Sequence, residues 1–284
     1  MKKHEVMMTR IGMVNFLNTA PIYERWKETV HRKDWQLVEG TPSVLNKKLA
    51  AGELDLGFVS SFEYGVHPEQ YKILSGLSIS ANGEVGSVFL FSHLPLEQLN
   101  AQPVLLSSQS QTSVGLVKII LEEFNNVRPE YSVGEVPEDG DDGYKALMAI
   151  GDDALRIVEK SRYLYQYDLG DIWKRQTGLP FVFALCVVRD DFCEKYPELL
   201  TDVHRELLRC CEEGKKCLPD ICQMAAARIP MSKDRCHNYL RAIEYDLGAR
   251  KRQALETYFD YLQKRGDIGD GALPLKFFTA LCVD

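Results

Sequence analysis

The chain has 284 residues, of which 45% are hydrophobic and 26% charged, a composition typical of a folded globular protein and long enough for two modest domains. Its net charge of −7, from 41 acidic against 34 basic side chains, argues against nucleic acid as a partner. An anionic ligand would have to be held by local donors such as hydroxyls and helix N-termini, because the overall field repels it.

The N-terminus predicts a cytoplasmic protein. Residues 1–10 begin with basic side chains but reach further charged residues before any apolar stretch of signal-peptide length. We expect no bilayer-spanning segment later in the chain either. The sequence therefore predicts a protein that has no membrane partner.

Three apolar runs alternate with amphipathic stretches near the start of the chain, and we predict strands at 11–14, 35–39 and 54–61. This alternation indicates a parallel α/β sheet. Ligands of such sheets bind beyond the carboxyl ends of the strands, where Asn15, Ser60 and Ser61 stand. We expect these side chains to face one crevice.

A second α/β unit follows further strands at 73–80 and 85–92 and a short link at 94–99. Its first strand, 104–106, leads through a Ser- and Thr-rich turn into a helix that we predict to reach Phe124. Ser110, Thr112 and Ser113 lie at the start of this helix, where unpaired N–H groups and a partial positive charge favour an anion. Simple N-capping needs only one of these hydroxyls and remains the alternative.

The second unit continues with a strand at 146–150 that ends in Gly151 and Asp152. Asp152 is predicted to cap the next helix or to contact a ligand, with capping favoured. The apolar run 181–188 is predicted to be a buried strand that returns to the first unit. After residue 190 the pattern is helical.

The chain has eight cysteines, and all of them follow residue 185. Four of them cluster, but they contain no CxxC pair, and adjacent cysteines on a helix point about 100° apart. We therefore predict free thiols and no metal site. The cluster consists of Cys210, Cys211, Cys217 and Cys222.

Ordered motifs between residues 10 and 190 resemble the chorismate dehydratase family. The opening reads Arg-Ile-Gly-Met-Val-Asn-Phe-Leu-Asn-Thr-Ala-Pro at 10–21, and further matching blocks lie at 52–64, 77–88, 111–114, 150–152 and 168–184. The resemblance is weak beyond residue 190. The sequence departs from many members of that family at Gln111, where those relatives have an arginine.

This resemblance implies a type II periplasmic-binding-protein-like fold with two α/β lobes and the ligand in the cleft between them. Lobe I would comprise residues 1–93 and 181–284, and lobe II, inserted into it, residues 94–180. It also implies the conversion of chorismate to 3-[(1-carboxyvinyl)oxy]benzoate in the futalosine route to menaquinone, with no metal or redox cofactor.

The positions that match the family's catalytic residues are Asn18 and Ser87. The matched loops contain no histidine and a neutral amide is a poor base, so we hypothesise that the substrate's own enolpyruvyl carboxylate removes the ring proton. The other residues expected to bind substrate are Asn15, Ser60, Ser61, Ser110, Thr112, Ser113, Gly151 and Asp152.

Other interpretations remain open at this point. Without the resemblance, Asn18 would be a turn-forming residue and Ser87 a buried hydroxyl bonded to backbone. The fold also suits a solute-binding protein that captures a small carboxylate without chemistry. The sister enzyme dihydroxynaphthoate synthase is a further alternative, although its family has a Ser-Pro-Asp type of motif near the N-terminus. The sequence does not indicate an oligomeric state.

Overall fold

The computed structural model describes residues 8–137, 143–160, 162–225, 229 and 231–279. The strands in this part of the chain are β1 (Thr9–Val14), β2 (Trp35–Gly40), β3 (Leu56–Ser60), β4 (Tyr71–Ala81), β5 (Val88–Ser92), β6 (Pro103–Ser107), β7 (Glu130–Gly134), β8 (Ala146–Ile150), β9 (Tyr165–Asp168), β10 (Phe181–Arg189), β11 (Ile243–Glu244) and β12 (Phe277–Phe278). The α-helices are α1 (Ala20–Thr29), α2 (Pro42–Ala50), α3 (Ser61–Val66), α4 (Gln111–Lys118), α5 (Gly151–Lys160), α6 (Leu169–Thr177), α7 (Asp190–Lys195), α8 (Pro197–Lys216), α9 (Leu218–Ala225), α10 (Lys233–Ala242) and α11 (Ala249–Arg265).

The first sheet has seven strands in the order β11-β4-β10-β3-β1-β2, with β12 paired to β4. Strand β1 runs parallel to β2 and β3, as the alternation of strands and helices predicts. Strand β10 lies antiparallel between β3 and β4 and confirms the predicted return of the chain to the first unit. All five residues of β3 are buried because the strand lies inside the sheet and is covered on both faces.

The second sheet has five strands in the order β7-β6-β8-β5-β9. Strand β6 is parallel to β7 and β8, whereas β5 is antiparallel to β8 and β9. Strand β5, Val88–Ser92, thus belongs to this sheet, although it falls within the part of the chain predicted as lobe I. The division of the chain at residues 93 and 180 stays a prediction.

The helix predicted to run through Phe124 changes character on the way. It begins as α4 and continues from Ile119 to Phe124 as a π-helix. Its buried residues include Leu116 and Ile120, which pack in the main hydrophobic core. The apolar face predicted from the sequence therefore persists across the change in helix type.

A long helix from the C-terminal part of the chain supports the start of α1. A Cβ atom added at Gly214 of α8 would lie 1.9 Å from the carbonyl oxygen of Pro21, so only glycine permits this approach.

Cys210 and Cys211, on the same helix α8, are buried free thiols. In the part of the chain that the structure describes, no three His, Cys, Asp or Glu side chains are grouped to hold a metal ion. Among these same residues, no helix is long and apolar enough to cross a membrane.

Candidate active site

A small cavity lies between the two sheets, beyond the ends of β1, β3 and β8. Six of the residues predicted for the site line it: Asn18, Ser60, Ser87, Ser110, Ser113 and Gly151. Apolar side chains such as Phe16 and Phe183 complete the wall. The cavity has a volume of about 50 Å³, well below the roughly 300–1,000 Å³ of typical ligand pockets.

Asn18 lies in the short 3-10 turn, Leu17–Thr19, between β1 and α1. The hydroxyl of Tyr245 donates to the Asn18 carbonyl oxygen over 2.8 Å, and the Thr19 hydroxyl donates to the carbonyl oxygen of Phe16 over 2.9 Å. The side-chain oxygen Oδ1 of Asn18 is buried and has no hydrogen-bond partner among the described residues. Because a buried unpaired acceptor is costly, this amide is suited to receive a donor from a ligand.

Ser87 lies in the turn before β5, and only 1% of its surface is exposed. Its Oγ accepts a hydrogen bond of 2.9 Å from the hydroxyl of Tyr239, and its carbonyl oxygen accepts one of 2.7 Å from Gly151 N–H. The carboxylate of Asp168 fixes the same turn by accepting from Val85 N–H and Gly86 N–H. Burial raises the pKa of Asp168, an effect that these backbone hydrogen bonds oppose.

Ser60 ends β3 and caps α3. Its Oγ accepts from Glu63 N–H over 3.3 Å and from Asn46 Nδ2 over 3.0 Å. These two donors occupy both lone pairs of the hydroxyl oxygen. The hydroxyl proton is thus the group that Ser60 presents to a ligand.

Ser110 caps α4 by accepting from Ser113 N–H over 3.3 Å, and it also accepts from the Ser113 hydroxyl over 3.2 Å. The capping alternative is therefore confirmed for Ser110. Capping and ligand contact are compatible here, because both serines also line the cavity.

Four predicted site residues do not line the cavity, namely Asn15, Ser61, Thr112 and Asp152. Thr112 Oγ1 accepts from Phe62 N–H over 2.9 Å, and the Ser61 hydroxyl donates to the Val182 carbonyl oxygen over 2.7 Å. Asp152 lies in the first turn of α5 and accepts from Leu17 N–H over 3.2 Å. Thr112 and Asp152 lie on helices that follow strands of the second sheet, and each bonds to a residue that follows a strand of the first sheet.

The electrostatics of the cavity come from neutral groups. No charged side chain is among the described residues that line it. Helices α1, α2, α4 and α5 all begin at it, since Thr19, Pro42, Ser110 and Gly151 are part of its wall. Helix N-termini carry partial positive charge and unpaired N–H groups, so the cavity favours an anion without lysine or arginine.

Three tyrosines of the C-terminal part hold the site and were not predicted from the sequence. Tyr239, Tyr245 and Tyr258 donate hydrogen bonds to Ser87 Oγ, to the Asn18 carbonyl oxygen and to the Thr112 carbonyl oxygen. Burial raises the pKa of each phenol, which keeps it a neutral donor. The available signal was their chemistry, because a tyrosine in a buried position needs a partner for its hydroxyl.

Comparison with known sequences identifies the family. The model of a family described as menaquinone biosynthesis matches residues 9–264. The chain belongs to the menaquinone biosynthesis family. This family member is 27% identical to the chorismate dehydratase of Thermus thermophilus, over 89% of the chain and 94% of that enzyme. It is 30% identical to the chorismate dehydratase of Campylobacter jejuni, over 61% of the chain and 64% of that enzyme.

Solved structures show the fold of this family member. A protein of Archaeoglobus fulgidus matches with a TM-score of 0.70 at 17% identity, covering 93% of this chain and all of the other. The periplasmic aliphatic sulphonate binding protein of Escherichia coli matches with a TM-score of 0.69 at 11% identity, covering 98% and 94%. The predicted periplasmic-binding-protein-like fold is confirmed.

Proposed function

We propose that the protein is a chorismate dehydratase, which converts chorismate to 3-[(1-carboxyvinyl)oxy]benzoate and water. Family membership and the two relatives named chorismate dehydratase support this proposal. The hydrogen at ring C3 and the hydroxyl at C4 leave together as water, and the ring becomes aromatic. No electrons enter or leave, so the proposed reaction needs no redox cofactor. We place it in the cytoplasm, on the futalosine route to menaquinone.

The observation that carries the proposal is the unpartnered Oδ1 of Asn18 in the wall of the cavity. Chorismate at neutral pH has two carboxylates, an ether oxygen and a single hydroxyl. Its C4 hydroxyl is therefore the one O–H donor that can satisfy this amide oxygen. Asn18 would hold the group that departs in the reaction.

The hydroxyls of the wall suit the two carboxylates of the substrate. Ser60 presents its proton to the cavity, and Ser110, whose Oγ accepts from the Ser113 hydroxyl, presents its own proton at the N-terminus of α4. Charge that develops when the C3 proton leaves can spread onto the ring carboxylate through the conjugated double bonds. Donors fixed around that carboxylate would then stabilise the transition state.

The proton acceptor is the remaining requirement. The lining residues in the described part of the chain include no histidine or carboxylate, and an amide is a poor base. We therefore propose that the enolpyruvyl carboxylate of chorismate takes the C3 proton and passes it to the departing C4 hydroxyl, so that water leaves and the carboxylate is regenerated. Ser87 would donate to this carboxylate and orient it, opposite the hydroxyl held by Asn18.

The experiment is to incubate the purified protein with chorismate and to follow the products by chromatography with mass detection. We expect a product lighter by one water, and the Asn18→Ala variant should form it about 100-fold more slowly. Asn100→Ala, which alters an exposed asparagine far along the chain, is the matched control. Chorismate that raises the melting temperature but stays unchanged would refute the enzyme and favour a binding protein.

A further inference from the structure

We propose that Tyr239 is a positioning residue, which fixes the Ser87 hydroxyl so that its proton points into the cavity. This inference rests on the proposed function and adds to it a residue from the C-terminal part that the sequence alone did not single out. Tyr239 lies on α10, 152 positions from Ser87.

The hydrogen bond between Tyr239 and Ser87 has a defined direction. The Tyr239 hydroxyl lies 2.9 Å from Ser87 Oγ and donates to it, and both groups are buried. A serine hydroxyl has one proton and two lone pairs. Once one lone pair accepts from Tyr239, the serine proton turns away from the phenol and is available to a substrate. Accepting a hydrogen bond also polarises a hydroxyl and makes it a better donor.

The phenol ring of Tyr239 packs closely against the turn that carries Ser87. Gly86 has a φ of 72°, and a Cβ atom there would lie 3.3 Å from the Tyr239 ring. A glycine at this position thus lets the turn approach the ring closely. The backbone of the turn is also fixed by the Asp168 carboxylate. Ser87 is therefore held through its backbone by one residue and through its side chain by another.

Helix α10, which carries Tyr239, is linked to helix α5 by an ion pair. Arg235, one turn before Tyr239, forms an ion pair with Glu159 of α5. Helix α5 begins at Gly151, whose N–H donates to the Ser87 carbonyl oxygen. Helix α10 is thus tied to the same element that holds the backbone of Ser87.

The test is a double-mutant cycle with Tyr239→Phe and Ser87→Ala, which retain the tyrosine ring and the backbone. We expect Y239F to lower kcat for chorismate about 10-fold with little change in KM, the effect of one lost hydrogen bond. In the S87A background the same substitution should change kcat less than about twofold, because the hydroxyl to which Tyr239 donates is gone.

The control is Tyr71→Phe, which removes a buried phenol hydroxyl that donates to Glu63 away from the cavity. It should leave kcat near the wild-type value. Kinetics are run at a temperature at which circular dichroism shows every variant folded. A wild-type protein without turnover would overturn the proposed function, and this role with it. If the wild type is active but Y239F keeps full kcat, the role of Tyr239 is overturned and the proposed function is not. The same conclusion follows if Y239F lowers kcat as much in the S87A background as it does alone.

Discussion

The backbone of Gly151, which follows β8 of the second sheet, lies close to the side chain of Phe16, which follows β1 of the first sheet. Replacing Gly151 by alanine tests whether this close approach governs turnover. Its φ of 56° lies in the left-handed region, where a side chain costs about 1–2 kcal/mol. A Cβ atom would also lie 2.9, 3.1 and 3.2 Å from three carbons of the Phe16 ring. The ring must then move by a few tenths of an ångström.

Phe16 is two residues from Asn18 and lies in the cavity wall. We expect G151A to lower the free energy of unfolding in urea by more than the roughly 1–2 kcal/mol of backbone strain, because the clash with Phe16 adds to it. Displacement of the Phe16 loop should also lower kcat/KM for chorismate at least about 10-fold. The assay pairs urea unfolding with initial rates of product formation.

Gly178 supplies the matched control for this substitution. It has a φ of 72° at the end of α6, and a Cβ atom there would meet nothing within 4 Å. G178A therefore carries the backbone strain alone and should retain wild-type kinetics. If G151A and G178A lose the same stability and both keep full activity, the contact between Gly151 and Phe16 plays no part in the reaction.

Two further outcomes follow from buried polar groups. Thr112→Val removes the acceptor of Phe62 N–H, so the free energy of unfolding should fall by about 1–3 kcal/mol. A large rise in KM for chorismate would contradict this structural role and indicate that Thr112 contacts the substrate. Burial lowers the pKa of His204 below its usual 6.5, so the stability that this group contributes is complete above pH 6.5 and is lost as the pH falls through its folded value. Melting temperatures between about pH 7 and pH 5 should therefore drop less in His204→Gln than in the wild type, and equal drops would contradict this account.

The sequence predicted the parts of the fold that local pattern determines. The alternation of apolar runs located β1, β2 and β3, and the long apolar run at 181–188 located β10 as a buried strand. The rule that ligands bind beyond strand ends brought Ser60 and Gly151 to one cavity. These predictions succeeded because each depends on residues that are neighbours in the chain.

Contacts between distant residues were outside the reach of this reasoning. Nothing local indicates that the Thr112 hydroxyl accepts from Phe62 N–H rather than facing the cavity, or that Tyr245 holds the Asn18 backbone across 227 positions. The sheet to which β5 belongs was also missed, since pairing is decided by partners far along the chain. Packing of distant elements decides which of several capable hydroxyls faces a ligand.

The position of β10 has a consequence for the order in which the protein folds during synthesis. Strand β4 pairs with β10, β11 and β12, and with none of β1, β2 and β3. Its apolar residues therefore lack their sheet partners until the ribosome has passed residue 189, whereas the strands of the second sheet, which end at Asp168, are already complete. Such long-range pairing slows folding. The nascent chain therefore carries β4 without its sheet partners until β10 arrives.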